Sequence, residues 1–518
     1  MLILALKAGH DGSIAVVEDG RLLLSLEGEK DSFRRYISLQ ATSLFDVAER
    51  VGAVPDVVAM SGWRKSGVLT GQTKIGGGYG GAHTAVQWPT RFYGKEVTYF
   101  TDSHERSHIL GSIGMAPRDD ASSRAVLVWE GSIGKIYVVD SSWTVTKEVP
   151  VLSTPGTRYS SLFAIADPNT GDHAPPAYDH AGKLMALAAF GDATRVEPEV
   201  AATVDALVSD QLVGHKIRWR DSPLYNIGVE AQEAKDAAAL ITDRLFEIYA
   251  RAVHEHIPEG LPLHIGGGCG LNCEWNARWR NLGHFSSVFV PPCTNDSGAG
   301  IGTAIDAQAA LTGEAHIEWT VYSGLDFIED ATPDPARWQR APLAYDGVAQ
   351  ALDEERVFAW VQGRWEIGPR ALGNRSLLAE PSNPRTKDRL NEIKQREDYR
   401  PVAPCCRIED LTKAFVDDLE DPYMLYFNRS RSGDLAAVTH VDGTARVQTV
   451  RKESNEPLHR LLSAFAERRG LGVLCNTSLN FRGMGFINRM ADLIAYCEAR
   501  GVDDMVVGDA WYRRVAPS

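Results

Sequence analysis

The first thirty residues alternate between apolar runs and polar punctuation. LILAL (2–6) and IAVV (14–17) flank the loop GHDGS, and Asp19-Gly20 separates IAVV from LLLSL (22–26). An Asp-Gly between two β-rich runs predicts a hairpin. The same order of signals returns further on, where AVLVW (125–129) leads into Glu130-Gly131-Ser132 and then IYVVD (136–140). Two such strand–acidic-Gly–strand units predict either a duplicated α/β architecture, with its glycine loops facing across a cleft, or two unrelated hairpins. Pattern alone leaves both open.

From about Val229 the period changes. Ala234, Ala238, Ile241, Leu245, Ile248 and Ala252 recur at three- and four-residue steps, which predicts one long helix with a single buried stripe, ending before Pro258. A strand (LPLHI), the loop GGGCGLN (266–272) and a helix follow. VFVPP then leads into Cys293–Gly298 and a small-residue helix, AGIGTAIDAQAAL. Strand, glycine loop and helix in that order offer backbone N–H groups to phosphate or ribose, so Gly267, Gly268 and Asn272 are candidate nucleotide contacts. Residues 313–345 are rich in Asp, Glu, Pro and Ala with little periodicity. Two domains are expected, residues 1–335 and 336–518, the second opening on the strand RVFAWVQG at 356.

Composition narrows the classes. The formal charge of −14 opposes nucleic acid as a main partner, because a phosphate backbone needs a basic face. No apolar run is long enough to cross a bilayer, and the short apolar start without a basic leader reads as a first strand. Seven scattered cysteines without a CxxC pair point to a reducing cytoplasm and away from a structural zinc site. The sequence leaves oligomeric state open.

Two constellations carry chemistry. Between Arg364 and Arg400 nine Lys or Arg stand against six Asp or Glu, a local positive excess in an acidic chain. Arg370 sits in Gly-Pro-Arg-Ala-Leu-Gly, where rigid and permissive residues aim a side chain, and Asn383-Pro384 reads as the start of a helix. Such a cluster suits phosphate oxygens, with a solvated helix face as the alternative. THVDGTARVQTV places Arg446 in a sheet-like context, and VLCNTSLNFRG puts Asn476, Ser478 and Asn480 at a strand end. Both segments could be nucleotide loops or ordinary turns. The second constellation is DSHERSH. His104 and His108 fall on one helix face at metal-binding spacing, and HERSH is also a literal HExxH match, so a zinc protease is a rival reading beside two exposed histidines.

The segments GHDGS, HERSH, YDHAGKLMALAAFG, GGGCGLN, TNDSGAGIG, GRWEIGPRALGNRS, IKQREDYRPVAP, THVDGTARVQT and CNTSLNFRG occur in one order along nearly the whole chain. Together they resemble the O-carbamoyltransferases of antibiotic and nodulation-factor biosynthesis. The N-terminal segment looks closest to the members that act on the cephem 3-hydroxymethyl group. The resemblance implies an actin-like ATPase domain, similar to threonylcarbamoyl-transferring domains, followed by a YrdC-like α/β domain. It implies that ATP (with Mg2+) and carbamoyl phosphate yield a carbamoyl-adenylate, whose carbamoyl group then passes to a hydroxyl of a small-molecule acceptor: a cephem, a macrolide or a sugar. It also implies a divalent metal, iron first, held by His104, His108 and Asp296, with Glu130 where the family carries Asp. His10 matches a family histidine at the transfer site. Arg370, Arg375, Lys394, Arg400, Arg446 and Ser478 match the activation pocket, so His10, Arg370 and Lys394 are the expected catalytic residues. The loops GGGYGGAH (76–83) and TPGTRYSS (154–161) are expected to shape the acceptor pocket. A tRNA-modifying threonylcarbamoyl-type enzyme is the alternative within this chemistry, opposed by the charge. The hydrogenase-maturation relatives carry paired CxxC motifs that are absent here.

Overall fold

A computed structural model describes residues 1–63, 76–209, 213–431 and 433–515. The first sheet is built from β1 (Leu2–Lys7), β2 (Ser13–Glu18), β3 (Arg21–Glu27), β4 (Val57–Met60), β5 (Ala85–Phe92) and β6 (Lys95–Asp102), in the order β3-β2-β1-β4-β6-β5. The second uses β7 (Ser123–Trp129), β8 (Gly134–Asp140), β9 (Val145–Pro150), β10 (Pro262–Gly266) and β11 (Ser287–Phe289), in the order β11-β10-β7-β8-β9. The two orders share a plan. An antiparallel meander (β1-β2-β3; β7-β8-β9) carries parallel strands on the side of its first strand: β4 and β6 in one sheet, β10 and β11 in the other. The hairpins are therefore halves of a duplicated unit, the topology expected of an actin-like domain. Asp19 and Gly20, at φ 47° and 81°, supply the left-handed backbone that a two-residue hairpin turn requires.

Two helices fill the space between these sheets. Ala299–Thr312 lies on β1 and β2, His104–Gly114 lies on β7 and β10, and the two helices pack on each other. Their backbones meet at Gly302, where an added Cβ would come within 1.9 Å of the Ser107 carbonyl oxygen. Small residues in AGIGTAIDA therefore exist to let the histidine-bearing helix approach. The long helix covers the far face of the second sheet. It runs Gln232–His256, with Ala234, Ala238, Ile241 and Leu245 buried and Ile248 and Ala252 packed at the edge of the same core.

Residues 313–337 hold no helix or strand beyond isolated bridges. A third sheet begins after them: β12 (Trp338–Pro342), β13 (Phe358–Val361), β14 (Arg375–Ala379), β15 (Ala403–Arg407), β18 (Gln448–Val450), β19 (Val473–Ser478), β20 (Asp504–Val507) and β21 (Ala510–Arg514). Its order is β12-β21-β20-β13-β14-β19-β15-β18, and a short ribbon of β16 (Asn428–Arg429) and β17 (Thr444–Ala445) stands apart. Helices Tyr345–Asp353 and Glu456–Arg469 bury one face with Phe358 and Trp360. The loop after β13 reaches the first sheet: the Gly368 N–H donates to Glu27 Oε1 (2.5 Å), and Lys30 Nζ donates to the Gly368 carbonyl (2.8 Å). Among the described residues no helix is long and apolar enough to cross a membrane.

Candidate functional site

Ser103 caps the helix His104–Gly114 by accepting from the Arg106 N–H, so the helix starts at His104 and projects His104 and His108 from its first turns. Glu130 follows the end of β7, and Asp296 opens the turn before Ala299–Thr312. The four side chains converge and are buried, with one ligand atom of each lying within 4.8 Å of the others. His104 Nε2 is 3.2 Å from both Glu130 Oε2 and His108 Nε2, and both imidazoles stand 3.5 Å from Asp296 Oδ1. Four donors at about 2.1 Å from a common centre are separated by roughly 3.4 Å, so the spacing fits one divalent ion. The chemistry fits as well. Burial outweighs the neighbouring carboxylates and lowers His104 below its ordinary range. Burial would raise Asp296, but His104, Lys7 and His10 hold it well below the carboxylate range.

The same helix disposes of the protease reading. In a zincin the Glu of HExxH faces the metal as a base. Here Glu105 turns away: it accepts from Gly81 N (2.8 Å), Lys135 Nζ (2.9 Å) and the Tyr137 hydroxyl, all structural partners.

His10 stands between β1 and β2, 40% exposed, with Nε2 3.0 Å from Asp296 Oδ2. Burial lowers its basicity, but Asp296 outweighs that and raises it above 6.5. The ring stacks on exposed Tyr178 at 5.3 Å, so one edge of His10 addresses the acidic cluster while its face lies under an aromatic lid. Beside it lies Asp11, at φ 51°, whose carboxyl is pushed up to about 7 by burial and by the neighbouring Asp296 and Glu29. No sequence pattern singled out Asp11.

The GGGCGLN loop runs from this cluster to the C-terminal part. Gly267 (φ 93°) packs where a Cβ would meet the Trp129 carbonyl oxygen at 2.4 Å, and its N–H is spent on Thr294 O. Asn272 is an N-cap, its Oδ1 accepting from Glu274 N and Trp275 N. Of the three candidate contacts in this loop, only Gly268 faces open space. Near the end of the loop the Leu271 carbonyl accepts from Arg370 Nη2 (3.0 Å).

Arg370 belongs to a cationic cluster. Glu366 Oε1 accepts from Leu372, Asn374 and Arg375 N–H groups, pinning the loop that aims Arg370. Burial and the neighbouring Arg446, Arg35 and Arg400 all disfavour charge on Arg370. Lys394 is likewise held far below its ordinary range by burial and by Arg396, Arg400 and Arg35. Guanidinium groups stay charged in proteins, so these groups carry a burial cost and mutual repulsion that an anion would relieve. Arg35 and Arg400 have carboxylates at 3.6 and 3.7 Å, whereas among the described residues none pairs with Arg370, Lys394, Arg396 or Arg446. Arg370 Nε and Arg446 Nε are buried donors without acceptors. Ser478 joins the cluster: Lys394 Nζ lies 3.2 Å from its hydroxyl, which donates to Asn480 Oδ1. Arg35 and Arg396 belong to the same cluster, and motif reading missed them. Arg375 departs from expectation. Its five N–H donors are consumed by the carbonyls of Gln362, Gly363 and Asn374 and by Asn488 Oδ1, so it ties backbone together and keeps nothing for a ligand.

Known proteins resemble this chain over its length. A model described as carbamoyltransferase N-terminus matches residues 91–305, and one described as carbamoyltransferase C-terminus matches 349–514. The 3'-hydroxymethylcephem-O-carbamoyltransferase of Amycolatopsis lactamdurans is 58% identical, covering 99% of both chains, and that of Streptomyces clavuligerus is 57% identical over 100% of both. Nodulation protein U of Sinorhizobium fredii is 31% identical, covering 99% of both chains. Among solved structures, full-length HypF in its phosphate- and nucleotide-bound form is 13% identical with a TM-score of 0.30, covering 61% of this chain and 56% of that one. With both halves matched and relatives aligned end to end, the chain belongs to the carbamoyltransferase family and is a carbamoyltransferase.

Proposed function

We propose that this enzyme uses ATP and carbamoyl phosphate to carbamoylate the 3'-hydroxymethyl group of a cephem, with activation in residues 336–518 and transfer in residues 1–335. The observation that carries the reading is the cluster of cations without carboxylate partners: buried Lys394 and half-buried Arg370, Arg396 and Arg446. So many like charges are held together in a chain of formal charge −14 only where polyanions relieve them. Carbamate released from carbamoyl phosphate by water would attack the α-phosphorus of ATP, expelling pyrophosphate and leaving carbamoyl-AMP. The cluster neutralises charge on the phosphates as that bond breaks.

Transfer follows at His10. The acceptor hydroxyl attacks the carbamoyl carbon, AMP leaves, and His10 takes the hydroxyl proton. His104, His108, Glu130 and Asp296 would hold a divalent ion, iron by the family resemblance; when bound, it polarises the carbamoyl oxygen or anchors the nucleotide. The acceptor assignment rests on the two relatives of 57–58% identity that are named for that substrate. It is tested by mass spectrometry of a hydroxymethylcephem and a panel of other hydroxylated antibiotics after incubation with both co-substrates. A panel in which the cephem stays unmodified while another alcohol gains the carbamoyl group would reassign the acceptor.

A further inference from the structure

The loop GGGYGG lies against the acidic cluster. Its backbone caps the histidine helix: the carbonyls of Gly78 and Tyr79 accept from the N–H groups of His104 and Glu105 at 3.1 and 3.0 Å. Gly77 permits the approach, since a Cβ there would sit 2.1 Å from the Asp102 carbonyl oxygen. So anchored, the buried Tyr79 ring stacks on His104 (centroids 4.5 Å apart, planes 21° apart), and its hydroxyl donates to Glu130 Oε1. Ile133 N–H also points at Oε1, at 3.3 Å. The other oxygen, Oε2, is the one facing His104 (3.2 Å) and His108 (3.8 Å).

We propose that Tyr79 is a positioning residue of the metal centre: its hydroxyl fixes Glu130 Oε1 so that Oε2 alone is presented beside the two histidines. Glu has one more rotatable bond than Asp, and a fixed second oxygen removes that freedom. Partners that orient a ligand in this way typically change metal affinity by about 10–100-fold. The inference rests on the reading that the cluster holds a divalent ion.

The test uses Co2+ as probe, with affinity measured by chelator competition and the visible spectrum recorded on the loaded protein. Tyr79→Phe keeps the ring stack and removes the hydroxyl, with its bonds to Glu130 and Ser132. It is expected to bind Co2+ roughly 10–100-fold more weakly, with an altered spectrum, and to release pyrophosphate from ATP and carbamoyl phosphate at the normal rate. Glu130→Asp retracts the carboxylate by one methylene, beyond simultaneous reach of Tyr79 and the histidines. On that background Tyr79→Phe should change Co2+ affinity by less than about threefold, because the shared interaction is already gone. Wild-type affinity and spectrum in Tyr79→Phe, an undiminished effect on the Glu130→Asp background, or a parallel loss of pyrophosphate release would each overturn the assignment. A wild-type enzyme that takes up no Co2+ would instead contradict the metal centre itself.

Discussion

Replacing Lys394 by methionine separates function from stability in the cationic pocket. Lys394 ends the helix Pro384–Lys394, and its ammonium lies 3.2 Å from both Ser478 Oγ and Asn480 O, with Ser478 O and Asn480 Oδ1 closer still. Methionine preserves the stem and deletes the charge. The lost hydrogen bonds oppose two gains, relief of the desolvation penalty and of repulsion from Arg396, Arg400 and Arg35. Stability should therefore change by no more than about 1 kcal/mol in either direction. Ligand binding has no such compensation. A charge-assisted phosphate contact contributes about 1.5–3 kcal/mol, roughly 10–150-fold in affinity. A donor aimed at developing charge contributes about 10²–10³ in rate. Pyrophosphate release, followed by a coupled phosphatase assay, should fall by about 10²–10³ in kcat/KM while the melting temperature stays put. A folded Lys394→Met enzyme within threefold of wild type would refute the pocket.

Lys394 also predicts a proton linkage. Its basicity is depressed in the free enzyme and would be restored by an anion, so pyrophosphate binding should be coupled to proton uptake, and affinity should fall as pH rises through the depressed titration of Lys394. Calorimetry in buffers of different ionisation enthalpy reads that uptake, and Lys394→Met should lose it. Arg375→Met should behave oppositely to Lys394→Met, destabilising the fold by about 3 kcal/mol or more because buried acceptors lose their donor; a denaturant melt checks it. His104→Ala and His108→Ala should lose bound metal and acceptor carbamoylation yet still release pyrophosphate, read by metal analysis and the phosphatase assay. His10→Asn should slow transfer by roughly 10²–10⁴-fold and consume ATP without product; normal coupling would leave His10 only a loop-capping role.

Much of this was legible because periodicity and glycine placement are local. The Asp19-Gly20 turn, the helix of Ala238 and Leu245, and the loop at 266–272 follow from sequence spacing. The convergence of His104, His108, Glu130 and Asp296 was legible in part: the i,i+4 step is local, but Glu130 and Asp296 come from a strand end and a turn that only the duplicated topology brings together. Arg35 was invisible because it lies far in sequence from the other cations, and Arg396 because the basic run it belongs to does not say which of its members turn inward. Arg375 looked like Arg370, since sequence does not say which guanidinium meets a ring of carbonyls. Glu105 misled for the same reason, as its orientation depends on Lys135 and Tyr137 thirty residues away.

A chain that couples ATP-driven activation at the cationic cluster to transfer at the histidine–carboxylate cluster must release pyrophosphate in step with product. The direct measurement is the amount of pyrophosphate released per carbamoylated 3'-hydroxymethylcephem formed, in the wild-type enzyme and in His104→Ala. The wild type should release one pyrophosphate per product, and His104→Ala should release pyrophosphate without product. Product formed without ATP, or product formed at the normal rate by His104→Ala, would contradict that coupling.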